Sequence, residues 1–276
     1  MRHNNHLLTP FGMVLLLGLS FASFPATADT VRVGGTGSAL VTMKILADAY
    51  RASRPDTQVV IVPALGSSGS IKAVAAGELD IGLSGRPLKP AERAPGLVER
   101  EVARTPLVLA SIRAHSGFTL DDIARIYEGT LQTWPNGSPL RPILRPEADS
   151  ETLLLRAMSP EIDRALTIAY ARPGVHIAII DQDSADAIEK IPGALGPSTL
   201  ALILSEQRKI KALPLNGVTP SVAALARGRY PYFKPLYLVS RKNLSGPARA
   251  FATFIQSRQG ARILSDNGYL TLKSGE

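Results

Sequence analysis

Three short stretches of small hydroxyl residues stand where a β-run gives way to a helical run: Thr36-Gly37-Ser38, Ser67-Ser68-Gly69-Ser70 and Ser150-Glu151-Thr152. The first turn of a helix leaves backbone N–H groups without partners, and its dipole favours negative charge there. Glycine lets an anion come close to the backbone, and each hydroxyl adds a donor. Serine and threonine are also ordinary helix caps, so one such turn alone says little. Three of them, with Arg145 five residues before Ser150, point to a seat for a small oxyanion. A guanidinium fork gives a tetrahedral anion two parallel N–H donors, which an ammonium does not. The competing role for Arg145 is an ion pair with Glu147 or Asp149. Ser84 and Arg86, on either side of Gly85, are further candidates, with an interlobe or surface contact as the alternative for Arg86.

Catalytic readings fit less well. Gly66-Ser67-Ser68-Gly69-Ser70 has Ser70 where a nucleophile elbow needs its second glycine. Two of the four histidines, His3 and His6, lie near the N-terminus, and nothing sets His115 or His176 beside a serine. Metal-ligand spacing is missing from the sequence. Gly35-x-Gly37 has Leu40 at the third glycine position of a dinucleotide loop, and no acidic residue ends the next β-run. No cofactor and no metal are expected.

The elements that would position these residues alternate. Thr30–Val33, Val59–Val62 and Asp80–Ser84 read as strands, with helical spacing from Ala39 to Tyr50 and from Ile71 to Ala76. Such alternation predicts an α/β fold with a mostly parallel sheet. Pro106–Ile112 is a longer apolar strand and a plausible crossing into a second lobe. A helix opens at Thr119, with Asp121-Asp122 in its first turn. Leu140–Leu144 is a strand, and a further helix runs from Ser150 through Ala157. Leu236–Val239 reads as a strand returning to the first lobe, and helices at 247–255 and 258–264 follow. The expected division is residues 29–110 with 225–276 in lobe 1 and 111–224 in lobe 2.

Residues 1–28 read as a signal peptide: Arg2, an apolar run from Phe11 to Phe24, then Ala26-Thr27-Ala28 before the mature start at Asp29. The apolar run is shorter than the ~20 residues a bilayer span needs. Export to the periplasm is therefore expected, with a soluble mature chain. There is no cysteine, so neither disulfides nor a cysteine-linked lipid enter. The net charge of +8 comes from scattered basic residues, and only 5% of residues are aromatic, so no nucleic-acid stripe is present.

Taken in order, Gly35–Ser38, Gly66–Lys72, Gly77–Ser84, Leu120–Gly129 with Trp134, Arg145–Thr152 and Pro192–Gly196 resemble the type II periplasmic binding proteins, specifically the phosphate-binding proteins of ABC transporters. The resemblance spans essentially the whole mature chain. It implies two α/β lobes with a ligand cleft between them, closing on the anion and passing it to an ABC permease in the inner membrane. The roles it implies fall on Gly37, Ser38, Ser67 with Ser68 beside it, Arg145, Ser150 and Thr152, which together with Thr36, Ser84 and Arg86 make up the candidate site, in a chain expected to act as a monomer. Two departures stand out. Gly85 falls where phosphate binders often carry an aspartate that accepts the ligand's proton, and Glu151 falls where glycine is usual. Two outcomes stay open: Glu151 points away to solvent, or Asp149 or Glu151 takes over as the proton acceptor. The open alternatives are another oxyanion (sulfate, molybdate or tungstate), a small anionic organic solute, or a sensory or interaction protein of the same fold.

Overall fold

The computed structural model describes Met1 and residues 29–93 and 96–272. The expected signal peptide therefore lies, Met1 aside, outside the described residues. Among them no helix is long and apolar enough to cross a membrane.

The chain runs β1 (Asp29–Gly35), a 3-10 turn (Gly37–Ala39), α1 (Leu40–Ser53), β2 (Thr57–Ile61), α2 (Gly66–Ala76), β3 (Ile81–Ser84), α3 (Pro90–Arg93) and β4 (Leu97–Ser111). It continues with α4 (Leu120–Glu128), β5 (Arg141–Leu144), α5 (Ser150–Arg156), α6 (Pro160–Ala171), β6 (His176–Ile177), α7 (Asp181–Lys190), β7 (Ala194–Thr199) and α8 (Leu200–Ser205). Last come β8 (Lys211–Ala212), α9 (Val222–Ala226), β9 (Phe233–Arg241), α10 (Gly246–Ile255), α11 (Arg258–Asp266) and β10 (Leu270–Thr271). One mixed sheet has the order β2-β1-β3-β9-β4-β7-β5-β6, with β8 and β10 both paired to β4.

The sheet is less parallel than the sequence pattern suggests. β1 pairs in parallel with β2 and β3, and β5 with β6 and β7. Between these groups β9 runs antiparallel to both β3 and β4, and β4 antiparallel to β7. These two central strands join the halves. β4 gives Val102 and Ala103 to one apolar cluster, and Leu107 and Leu109 to another. The first cluster draws on both ends of the described chain, from Val31 and Met43 to Phe251 and Tyr269. The second is built from the middle, including Ile123, Trp134, Ile162 and Tyr230. The Tyr230 hydroxyl donates to Leu107 O at 2.8 Å, tying the returning chain to β4 where the pairing changes partner.

Two boundaries differ from the periodicity. β4 begins at Leu97, ahead of the expected Pro106, because its first half carries Glu99, Arg100, Glu101 and Arg104, which hide the strand pattern. Helix α2 begins at Gly66, so the serine-glycine stretch is the helix's own first turns.

The loop from β1 to α1 is set by Gly35. Its φ of +152° is open to glycine, and a Cβ there would lie 2.0 Å from Leu83 O on β3. The Thr36 N–H donates to that same carbonyl at 3.0 Å, which fixes where the hydroxyl turn starts. Gly35→Ala is expected to cost about 3 kcal/mol, lowering the thermal midpoint by roughly 6–12 °C. An unchanged midpoint in a thermal melt would show that this edge parts without strain.

Candidate functional site

A cleft of about 510 Å³ lies between the halves, lined by Leu65, Ser67, Arg145, Ser150, Ile179 and Asp181 among others. A separate hollow of about 610 Å³ beside β5, lined by Arg141, Arg172 and His176, holds none of the expected site residues.

Arg145 follows β5 and is 2% exposed. Its Nη1 donates to Ala178 O at 2.7 Å and its Nη2 to Asp149 Oδ2 at 3.2 Å. Nε is 3.5 Å from Glu151 Oε2, and neither atom has a hydrogen-bond partner among the described residues. The ion pair with Asp149 is present, but Arg145 is buried at the cleft floor and not on the surface. Asp149 also caps α5, its Oδ1 accepting from Glu151 N–H at 2.8 Å. Both of its oxygens are thus engaged.

Ser67 and Ser150 meet across the cleft. The Ser67 hydroxyl donates to Ser150 Oγ at 3.4 Å and accepts the Gly85 N–H at 2.9 Å. Thr36 and Ser38 share a hydroxyl contact at 3.2 Å, and Thr36 Oγ1 donates to Asp181 Oδ2 at 3.5 Å. A Cβ on Gly37 would fall 2.9 Å from that same Asp181 oxygen.

Of the remaining predicted residues, Ser68 and Arg86 line the cleft wall but bond to each other and to Glu92, while Ser84 and Thr152 do not line it. Ser68 is exposed and accepts from Arg86 Nη2 at 3.0 Å. Arg86 forms a two-pronged pair with Glu92, both contacts at 2.8 Å. Ser84 Oγ donates to Arg86 O at 2.6 Å, so Ser84 shapes that loop. Thr152 Oγ1 donates to Arg145 O at 3.4 Å and lies 3.2 Å from the Tyr170 hydroxyl. Thr152 thus supports the Arg145 backbone and does not line the cleft.

Two charged residues at the centre escaped the sequence pattern. Lys234 of β9 is 1% exposed, and its Nζ donates to Glu151 Oε1 at 3.0 Å and Asp181 Oδ1 at 2.9 Å. Asp181, at the start of α7, is 5% exposed and lies 3.9 Å from Arg145 Nη2. A Cβ on Gly85 would sit 2.7 Å from Lys234 Cε and 3.0 Å from Ser150 Oγ. The lysine stem therefore fills the space that an aspartate at this position would need. Lys234 was open to detection, since it alternates with Leu236 and Leu238 on the buried face of β9. Asp181 gave no such signal, because an acidic residue in a helix's first turn is ordinary.

The five charges do not balance if all are ionised, with Asp149, Glu151 and Asp181 facing Arg145 and Lys234. Burial, the largest influence on Glu151, disfavours its charged form; Lys234 and Arg145 oppose this, Asp181 reinforces it, and the carboxyl is pushed up to about 8. Burial also acts against the Asp181 charge, but Lys234 and Arg145 outweigh it and hold that carboxyl well below the usual range. Lys234 is likewise buried, yet Asp181 and Glu151 keep it firmly protonated. With Glu151 neutral, two cations face two carboxylates.

A family model described as a PBP superfamily domain matches residues 22–259. The phosphate-binding protein PstS of Bacillus subtilis (strain 168) is 24% identical over 254 residues, 88% of this chain and 81% of that one. A provisionally named phosphate ABC transporter substrate-binding protein from Clostridium perfringens, solved with bound phosphate, superposes with a TM-score of 0.77. It is 22% identical, over 89% of this chain and 100% of that one. An ABC-type phosphate transport receptor from Vibrio cholerae has a TM-score of 0.63 at 16% identity, over 87% and 99% of the two chains. With its sheet shared between two α/β halves and a cleft where they meet, the chain belongs to the PBP superfamily.

Proposed function

We propose that this protein captures inorganic phosphate in its cleft, without turnover, and delivers it in the periplasm to an ABC permease of the inner membrane. The carrying observation is the meeting of two buried cations, Arg145 and Lys234, and the Thr36 hydroxyl around a single point, the Asp181 carboxylate, beside a cleft that Ser67 and Ser150 also line. Such donors suit an oxyanion whose oxygens point in several directions, as a tetrahedral one's do. The related proteins named as phosphate binders support the choice of anion, and their names describe binding and not catalysis.

Phosphate carries a proton near neutral pH, and sulfate does not. Gly85 offers no side chain to accept it. Glu151 does once it ionises: its buried Oε2 has no hydrogen-bond partner among the described residues, and its carboxyl releases its proton at about 8, where phosphate still holds one. It can share one proton with phosphate, whereas Asp149 already spends both oxygens on Arg145 and the α5 cap. Sulfate is the second reading, favoured by the Lys234 stem against Gly85, which sets a cation where an acceptor would have stood.

Thermal unfolding of refolded protein against phosphate, sulfate, molybdate and tungstate tests the choice. Phosphate at about 100 times its Kd is expected to add ~2.7 kcal/mol, a rise of roughly 5–10 °C. No shift with any of the four would sink anion capture. By calorimetry, Arg145→Lys is expected to weaken phosphate at least tenfold by losing the two-pronged donor geometry; equal affinity would remove Arg145 from the site.

The raised carboxyl of Glu151 also makes stability depend on pH. The folded state holds a proton that the unfolded chain releases in the usual glutamate range, so this contribution is full in acid. It is lost as pH rises from that range through about 8, at up to about 1.4 kcal/mol per pH unit. Asp181 acts below this window and Lys234 above it. Denaturant titrations from pH 5 to 8 should show falling stability in the wild type and a flatter profile in Glu151→Gln; parallel profiles would mean Glu151 is ionised throughout.

A further inference from the structure

Asp181 is bonded unequally. Its Oδ1 accepts a short contact from Lys234 at 2.9 Å, while Oδ2 has long ones, 3.5 Å to Thr36 Oγ1 and 3.9 Å to Arg145 Nη2, and the neutral Glu151 carboxyl lies within hydrogen-bond reach of the same carboxylate. Charge-assisted hydrogen bonds ordinarily run about 2.7–2.9 Å. The carboxylate thus sits among donors from both halves without satisfying them all, and Arg145 Nε has no hydrogen-bond partner among the described residues. A carboxylate is planar with two oxygens, whereas the donors around it come from β5, β9 and the β1–α1 turn, in different directions. Asp181 also lines the open cleft, so an entering solute can reach it.

We infer that Asp181 is a resident anion in the ligand's seat, and that an oxyanion binds by taking over the donors Asp181 now holds. This rests on the oxyanion-capture reading above and names a residue that sets its affinity and selectivity. Displacement needs a modest shift at the start of α7, where Gln182 Nε2 donates to Gly37 O at 3.0 Å and pins the turn from the other side. Only anions that bond these donors better than a carboxylate does can displace it. Acetate-like ligands, chemically equivalent to Asp181, gain nothing by the exchange, whereas a tetrahedral anion brings two further oxygens.

The test is calorimetric titration of inorganic phosphate and of acetate into the full-length wild type, Asp181→Asn and Asp183→Asn. Asp183 lies on the same helix, is exposed, and caps it by accepting the Ile180 N–H at 3.2 Å, so its replacement controls for a general change of field. Asp181→Asn is expected to bind phosphate at least tenfold more tightly than wild type and to gain measurable acetate binding. Asp183→Asn should stay within about threefold of wild type. Should Asp181→Asn not fold, Asp181→Ser removes the same carboxylate and carries the same expectation. Phosphate affinity unchanged or weakened in the Asp181 variant, with wild type binding, would overturn the resident-anion role and leave phosphate capture intact. An equal gain in Asp183→Asn would overturn it too, as a field effect. Phosphate inert toward every variant would remove the phosphate reading and this inference with it.

Discussion

Everything at the cleft follows from the cost of burying charge. Arg145, Glu151, Asp181 and Lys234 are each no more than 5% exposed. Taking such groups out of water costs several kcal/mol apiece, and only mutual pairing repays it. They come from the end of β5, the start of α5, the start of α7 and the start of β9, so pairing them fixes how these elements meet. Loss of one partner would strand another charge, at about 3–5 kcal/mol. The glycines obey the same constraint, since Gly85 must stay bare for the Lys234 stem to pass and Gly37 must stay bare for Asp181 to approach. The charged cluster is thus a brace between the two halves.

This bracing explains which parts of the site were legible in the sequence. The hydroxyl turns were visible because each is local: Thr36 and Ser38 are neighbours, and Ser150 follows Arg145 closely. Ser67, Arg145 and Ser150 line one cleft, and Thr36 approaches it through its contact with Asp181. Arg86 lines the cleft but pairs with Glu92, and Thr152 bonds the Arg145 carbonyl behind it. Local spacing cannot rank such partners, because the choice depends on side-chain direction. Lys234 and Asp181 lie 53 positions apart and pair only through the fold.

The fold shows the same division. Strands β1, β2 and β3 and helix α1 follow from hydrophobic period and glycine punctuation. The first half of β4 does not, because its charged residues pair with one another and with neighbours along the sheet, as Arg104 does with Glu101. A strand that crosses between two halves has one stretch buried and another partly wet, so its pattern changes along its length. β4 passes from alternating exposure at Val98 and Arg100 to continuous burial from Thr105 to Ser111.

The charge balance bears on how an anion binder can be selective. A pocket of unopposed cations would attract every anion in proportion to its charge, and discrimination would be small. Here the opposing carboxylates cancel most of that attraction, so an entering anion gains mainly from hydrogen bonds that the resident groups leave unmade. Those bonds depend on direction and on who holds the proton. Glu151 makes the proton count, and the scattered directions of Arg145, Lys234 and Thr36 make the shape count. Lys234 with Glu151 thus supplies by a pair what a single aspartate beside Ser84 would supply alone: a fixed charge environment with one exchangeable proton. On the proposed reading the arrangement would exchange raw affinity for discrimination, because each oxyanion would have to outcompete the carboxylate already in place.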